Sequence, residues 1–177
     1  MNRRIIGSIV GVCALFILGG VMLFLTCRNE KTAYVNITKL YAEFTLKKEL
    51  ENKLTKVKNT RQAVLDSLEL KLKILTKEIN MEKGTDKAKI AVFQAQREAY
   101  ISKKQQFDED NQALVKEYDA QIYKQMTQYV SDYGKKKGYK YIYGADGSGN
   151  LMYADESDDI TFQVTTFINN RYKGISD

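Results

Sequence analysis

Asp146-Gly147-Ser148-Gly149-Asn150 has the alternation of oxygen-bearing and small residues found in calcium loops. An EF-hand loop also needs Gly at its sixth position, for the sharp turn, and a bidentate Glu at its last. Leu151 and Ser157 occupy those positions, so the stretch reads as a glycine-rich turn. Asp108-Glu109-Asp110 offers carboxylates for acid–base work, but neighbours on a helix point in different directions and cannot converge on one reacting atom; a solvated face accounts for them. Nine tyrosines lie from Tyr118 onward and could stack on single-stranded bases. Tyr139, Tyr141 and Tyr143, however, share one face of an alternating run, which fits packing better. The chain has no His, Pro or Trp, and its two cysteines, Cys13 and Cys27, fall in or beside the apolar N-terminal run. A nucleophile–His–Asp site, a His-ligated metal and a Cys/His zinc cluster all lack their parts. No enzyme, metal, cofactor or small-molecule substrate is expected.

Charge is the second resource. The net +6 (pI about 9.1) is polarised: Thr32–Lys104 carries 16 basic and 9 acidic residues, Gln105–Asp177 carries 8 and 12. Lys71, Lys73, Lys77, Lys83, Lys87, Lys89, Lys103 and Lys104 lie in the positive half, where they would draw acidic partners by long-range attraction. Phe93 and Ile101 stand among them as apolar residues able to hold extended chain weakly. Lys135-Lys136-Lys137 precedes Gly138 and reads as a helix-end cap, in preference to a dedicated phosphate contact.

These residues must be positioned by something, and the sequence divides into three parts: 1–31, an N-terminal anchor or signal segment; 32–45 with 134–177, a β body; and 46–133, a helical arm. Ile5–Thr26 is 22 residues without Asp, Glu, Lys or Arg, enough to cross a hydrocarbon core of about 30 Å. Its length exceeds the apolar stretch of a cleaved signal peptide, and an uncleaved membrane helix is the reading taken. Lipidation at Cys27 is an alternative, although Phe24-Leu25-Thr26 is a poor match to the small residues expected before a lipidated cysteine; simple cleavage is another. Arg3 and Arg4 place the N-terminus in the cytoplasm and the bulk of the chain outside it.

In the arm, Leu46, Leu50, Leu54, Val57, Val64, Leu68, Leu72, Leu75 and Ile79 form a coiled-coil stripe interrupted by Arg61. Ile90, Phe93, Tyr100, Phe107, Leu114, Tyr118, Ile122, Met126, Tyr129 and Tyr133 form a second, with Arg97, Lys104 and Asn111 diluting its seam. Gly84, between Asn80 and Asp86, marks the fold-back of an antiparallel hairpin. Either side of the arm, Ala33–Ile37, Tyr139–Tyr143 and Leu151–Ala154 read as strands. Thr38 is a candidate cap for the first helix, and Ser157 or Asp158 for the last, whose Ile160, Val164, Phe167 and Ile168 share a face. The fold class is α+β: a small β-α-α-β-β-α body carrying a long helical arm, behind an N-terminal membrane helix.

The sequence resembles the Skp/OmpH family of periplasmic chaperones over nearly all of Thr32–Tyr172. The resemblance is carried by Ala33-Tyr34-Val35-Asn36, by Lys83-Gly84-Thr85-Asp86-Lys87, by Tyr139-Lys140-Tyr141-Ile142-Tyr143, and above all by Met152-Tyr153-Ala154-Asp155 leading into Asp158-Asp159-Ile160-Thr161. It implies a jellyfish-shaped homotrimer with helical tentacles around a cavity, and an ATP-independent holdase for unfolded outer-membrane proteins. On that reading Lys71, Lys73, Lys77, Lys83, Lys87, Lys89, Phe93 and Ile101 are candidate client contacts. Tyr34, Val35, Ile37, Tyr141, Tyr143, Tyr153, Ile160 and Val164 are candidates for the trimerising body. The expected location is the periplasmic face of the inner membrane, with a lipoprotein or a soluble periplasmic protein as alternatives. Two rivals are a passive anchored coiled-coil spacer and a basic nucleic-acid binder; the acidic C-terminal half and the export-type N-terminus disfavour the latter.

Overall fold

The computed structural model describes residues 30–81 and 86–175. The expected membrane span, Cys27 and the Lys83-Gly84 apex lie outside the described residues. Strand β1 (Thr32–Asn36) leads into a short helix α1 (Ile37–Glu43), the long helices α2 (Thr45–Met81) and α3 (Lys87–Lys137), strand β2 (Tyr141–Ala145), a 3-10 turn (Glu156–Asp158) and helix α4 (Thr161–Tyr172). At about 1.5 Å per residue, the 37 residues of α2 and 51 of α3 span roughly 55 and 75 Å. Among the described residues no helix is both long and apolar enough to cross a membrane.

The body is built on two parallel strands, with Thr32 opposite Tyr141 and Asn36 opposite Ala145. Parallel strands need a crossover, and here the entire arm is that crossover. Val35 sits opposite Gly144, and a side chain at Gly144 would come within 2.2 Å of Ile37 Cδ1. Glycine there lets α1 leave the sheet edge at close range. Beneath the strands, Ala33, Val35, Leu40, Phe44, Ile160, Val164, Phe167 and Ile168 are all buried in one core with Tyr133 and the root of the arm.

Where α1 meets α2 the chain bends at Phe44, whose backbone is extended. The exposed N-terminus of α2 is satisfied from outside its own segment. Asn169 Oδ1 accepts hydrogen bonds from Thr45 N (2.8 Å) and Thr45 Oγ1 (2.9 Å), while Asn169 Nδ2 donates to Glu43 O (3.2 Å). Thus α4 caps the arm across 124 residues of sequence. Phe44 is wholly buried beneath this joint, with the Tyr172 ring edge-on at 5.8 Å and that of Tyr129 at 6.3 Å.

Several local expectations are corrected. Leu151–Ala154 is not a strand: the third contact of the sheet is a single parallel bridge from Tyr34 to Asp159. Glycines in left-handed geometry at 147 and 149 bring the chain round without a hairpin ladder. The second strand lies two residues beyond Tyr139–Tyr143, because Gly138, left-handed at φ 72°, closes α3 and Tyr139 still donates to Gly134 O at 2.9 Å. Helix α1 starts at Ile37 and is capped by Asn36, which accepts from Lys39 N, and not by Thr38. Neither Ser157 nor Asp158 caps α4. Ser157 instead donates to Asp155, and Asp159 Oδ1 accepts from Thr161 N at 2.8 Å.

Tyr172 Oη donates to Glu49 at 2.6 Å. That bond first, and burial second, push the phenol from 10.0 up to about 12. Burial and then the Asp119 bond push Tyr41 up as well. The folded chain therefore holds protons that an unfolded tyrosine releases, so this stabilisation is complete below pH 10 and is lost as pH rises from there through about 12. Tyr172→Phe should remove one late-titrating step from the tyrosinate absorbance curve and flatten the alkaline fall in stability. Superimposable titration and denaturation curves for the two chains would rule this out.

Candidate functional site

The arm is held by a thin apolar seam. Going outward along α2, Leu46 and Leu50 are buried, Leu54, Val57, Leu68, Leu72, Leu75 and Ile79 are half-buried, and the facing residues of α3 fall in number as those of α2 rise. Val64, expected on the stripe, is exposed, and Leu65 is the buried residue in its place. The reason is Arg61. It occupies a seam position, so the sequence steps 57, 61, 65, 68 in spacings of four, four and three. Arg61 donates to Asn111 Oδ1, lies 3.5 Å from Asp110 and stands over the Phe107 ring at 5.5 Å. This polar layer fixes which residues of the two helices face each other, because a one-turn slip would leave the guanidinium against apolar side chains.

Arg61→Ala should cost about 1–2 kcal/mol, the usual range for a partly exposed charge-assisted bond with its packing. Arg61→Leu should restore most of the thermal stability by extending the apolar seam. Equal losses for both variants would show that the polar layer, and not the seam, holds this level of the arm.

Further out the two helices together line an open groove of about 490 Å³, walled by Glu69, Leu72, Lys73, Thr76, Phe93, Arg97, Tyr100 and Ile101. Three candidates from sequence, Lys73, Phe93 and Ile101, come together here. Leu72, Thr76 and Tyr100 join them, as does Arg97, which reads from sequence only as a defect in the seam. Lys73 is bonded to Glu69 at 2.8 Å, which holds its ammonium above the ordinary lysine range. Lys71, Lys77 and Lys87 are exposed elsewhere on the arm, and Lys89 is half-buried. Apolar side chains recur on the solvent side: Leu70, Ile74, Met81, Val92 and Ile101 are each about half exposed or more.

A second surface lies on the body. Tyr141 and Tyr143 project from the outer face of β2, stacked at 6.0 Å and each 49% exposed, and Tyr153 is 83% exposed. A hollow of about 330 Å³ runs between Tyr34, Tyr143, Leu151, Tyr153, Asp155 and Asp158. Burial there, followed by the carboxylates of Asp159, Glu156, Asp155 and Asp158, raises the Tyr34 phenol. Of the other body candidates, Val35, Ile160 and Val164 are buried in the chain's own core. Ile37 packs half-buried against that core. They shape the outer face from beneath. Among the described residues no group of His, Cys, Asp and Glu could hold a metal.

The sequence profile of the family described as Outer membrane protein (OmpH-like) matches residues 31–168. Chaperone protein Skp of Yersinia enterocolitica is 28% identical over 139 residues, 76% of this chain and 83% of the relative. Chaperone protein Skp of Pectobacterium atrosepticum is 26% identical over 140 residues, covering 76% and 83%. A solved putative outer membrane chaperone (OmpH-like) from Caulobacter crescentus CB15 superposes with a TM-score of 0.69 at 16% identity, over 79% of this chain and 84% of that one. Both curated relatives carry the name of a chaperone. With long paired helices on a small sheet and a profile match across arm and body, the chain belongs to the family described as Outer membrane protein (OmpH-like).

Proposed function

We propose that the protein is an ATP-independent holdase that keeps unfolded outer-membrane proteins from aggregating between helical arms. The observation that carries this reading is the distal arm itself. Its two helices line a groove with Phe93, Tyr100, Ile101, Lys73 and Arg97 among its walls, and further apolar side chains stand exposed among lysines. Each contact is weak, so many are needed, and release requires no nucleotide.

Three chains joined through the body would turn one arm into a cage. A two-stranded sheet is marginal alone, and β2 has only β1 beside it among the described residues. The exposed Tyr141, Tyr143 and Tyr153 supply the surface for neighbouring copies. Ile5–Thr26 supports retention at the periplasmic face of the inner membrane, with the arms reaching into the periplasm.

Diluting a urea-unfolded β-barrel protein into buffer with and without the chain tests the reading by light scattering. A holdase suppresses the scatter at near-stoichiometric amounts, and less so as salt screens the lysines. A passive spacer leaves the scatter unchanged at every salt concentration.

A further inference from the structure

The arm root has an underside, and its chemistry differs from everything above it. Strand β1 starts where α3 ends: Lys140 N donates to Lys31 O at 2.8 Å, and Lys31 Nζ donates to Lys137 O at 3.3 Å while lying 4.1 Å from the Tyr139 ring. Lys135, Lys136, Lys137 and Lys140 therefore gather with Lys31 at one end of the body. Glu30 is paired with Lys140.

Cations after a helix usually serve its terminal carbonyls. Here that work is done by other groups. Gly138 N–H reaches Gly134 O and Lys135 O, Tyr139 N–H reaches Gly134 O, and Lys31 takes Lys137 O. Lys136 stands over the Phe167 ring at 5.7 Å. Among the described residues the exposed side chains of Lys135 and Lys137 have no carboxylate partner. Their charge is surplus to the fold.

We infer that this basal face docks on anionic phospholipid headgroups. The inference rests on the membrane-anchor reading of Ile5–Thr26. Four residues, Cys27 to Glu30, separate that stretch from Lys31. A chain of four residues reaches at most about 14 Å. The base is thereby held within a Debye length or two of the lipid surface, where lysines feel its potential. The groove of the arm lies at the far end of α3, whose 51 residues extend about 75 Å, beyond the reach of that field. Lipid at the base and client at the arm would then occupy separate ends of one molecule.

The test uses the full chain reconstituted into phosphatidylcholine vesicles, or into vesicles of phosphatidylcholine mixed with phosphatidylglycerol. Reaction of each lysine with a water-soluble acylating reagent is followed by mass spectrometry. Lys135 and Lys137 should react about threefold to fivefold more slowly on the anionic vesicles, the factor corresponding to about 1 kcal/mol per lysine at such a surface. High salt should abolish the difference, and Lys71 and Lys77 on the arm should show none. Equal rates at Lys135 and Lys137 on the two lipids would overturn the docking surface. So would protection by an oligonucleotide with none from anionic lipid. Salt-resistant attachment to neutral vesicles scores the anchor separately: if it fails, slowed Lys135 and Lys137 on anionic vesicles still support the basal face, and unchanged rates still refute it.

Discussion

Phe44→Ala should destabilise the body by about 3–5 kcal/mol, the range for emptying a buried aromatic site that cannot collapse. Phe44 has no exposed surface and is framed by Tyr129 and Tyr172. It also sits at the bend where α1 gives way to α2, beside the Asn169 cap. Loss of the ring therefore undermines the four helices that converge on the arm root, and the melting temperature should fall by roughly 10 °C. Phe44→Leu, which retains most of the volume, should recover a large part of the loss. Circular dichroism melts of the two variants check this; a shift for Phe44→Ala of only a degree or two would mean the arm root is not the keystone described.

The second large effect concerns the arm. Replacing Phe93 and Ile101 together by Ser should raise the amount of protein needed to halve the aggregation of an unfolded β-barrel client about tenfold. Ile101 is 51% exposed and Phe93 half-buried, so each contributes on the order of 1 kcal/mol of apolar contact to a client. The seam runs mainly through Leu68, Leu72, Leu75 and Tyr100 at this level, and the melting curve should shift far less than for Phe44→Ala. Full suppression by the double variant would place client binding elsewhere.

The architecture was legible in sequence because its signals are long. Spacings of three and four sustained over two stretches, with no Pro and a single Gly between them, leave a helical hairpin as the simple solution. Short elements were less legible. Leu151–Ala154, a short apolar run after a glycine-rich turn, reads as a returning strand, yet the left-handed glycines at 147 and 149 and the Asp155–Ser157 turn carry it past the sheet edge. The Asn169 cap could not be found from pattern, since its partners Glu43 and Thr45 are more than a hundred residues away. In the groove, Lys73, Phe93 and Ile101 announced themselves as charge and exposed apolar residues. Arg97 and Tyr100 did not, because a seam position and a groove wall look alike in sequence. Val64 and Leu65 show the same limit on a smaller scale: placing Arg61 in the seam shifts the buried position by one residue.

Capture between the arms is tested most directly by a photo-crosslinking residue placed in turn at Ile101, facing the groove, and at Met152, 88% exposed on the body, in the presence of an unfolded β-barrel protein. Strong adducts to the client from position 101, with few or none from position 152, are the expected result. Adducts formed equally from both positions, or from the body alone, would contradict it.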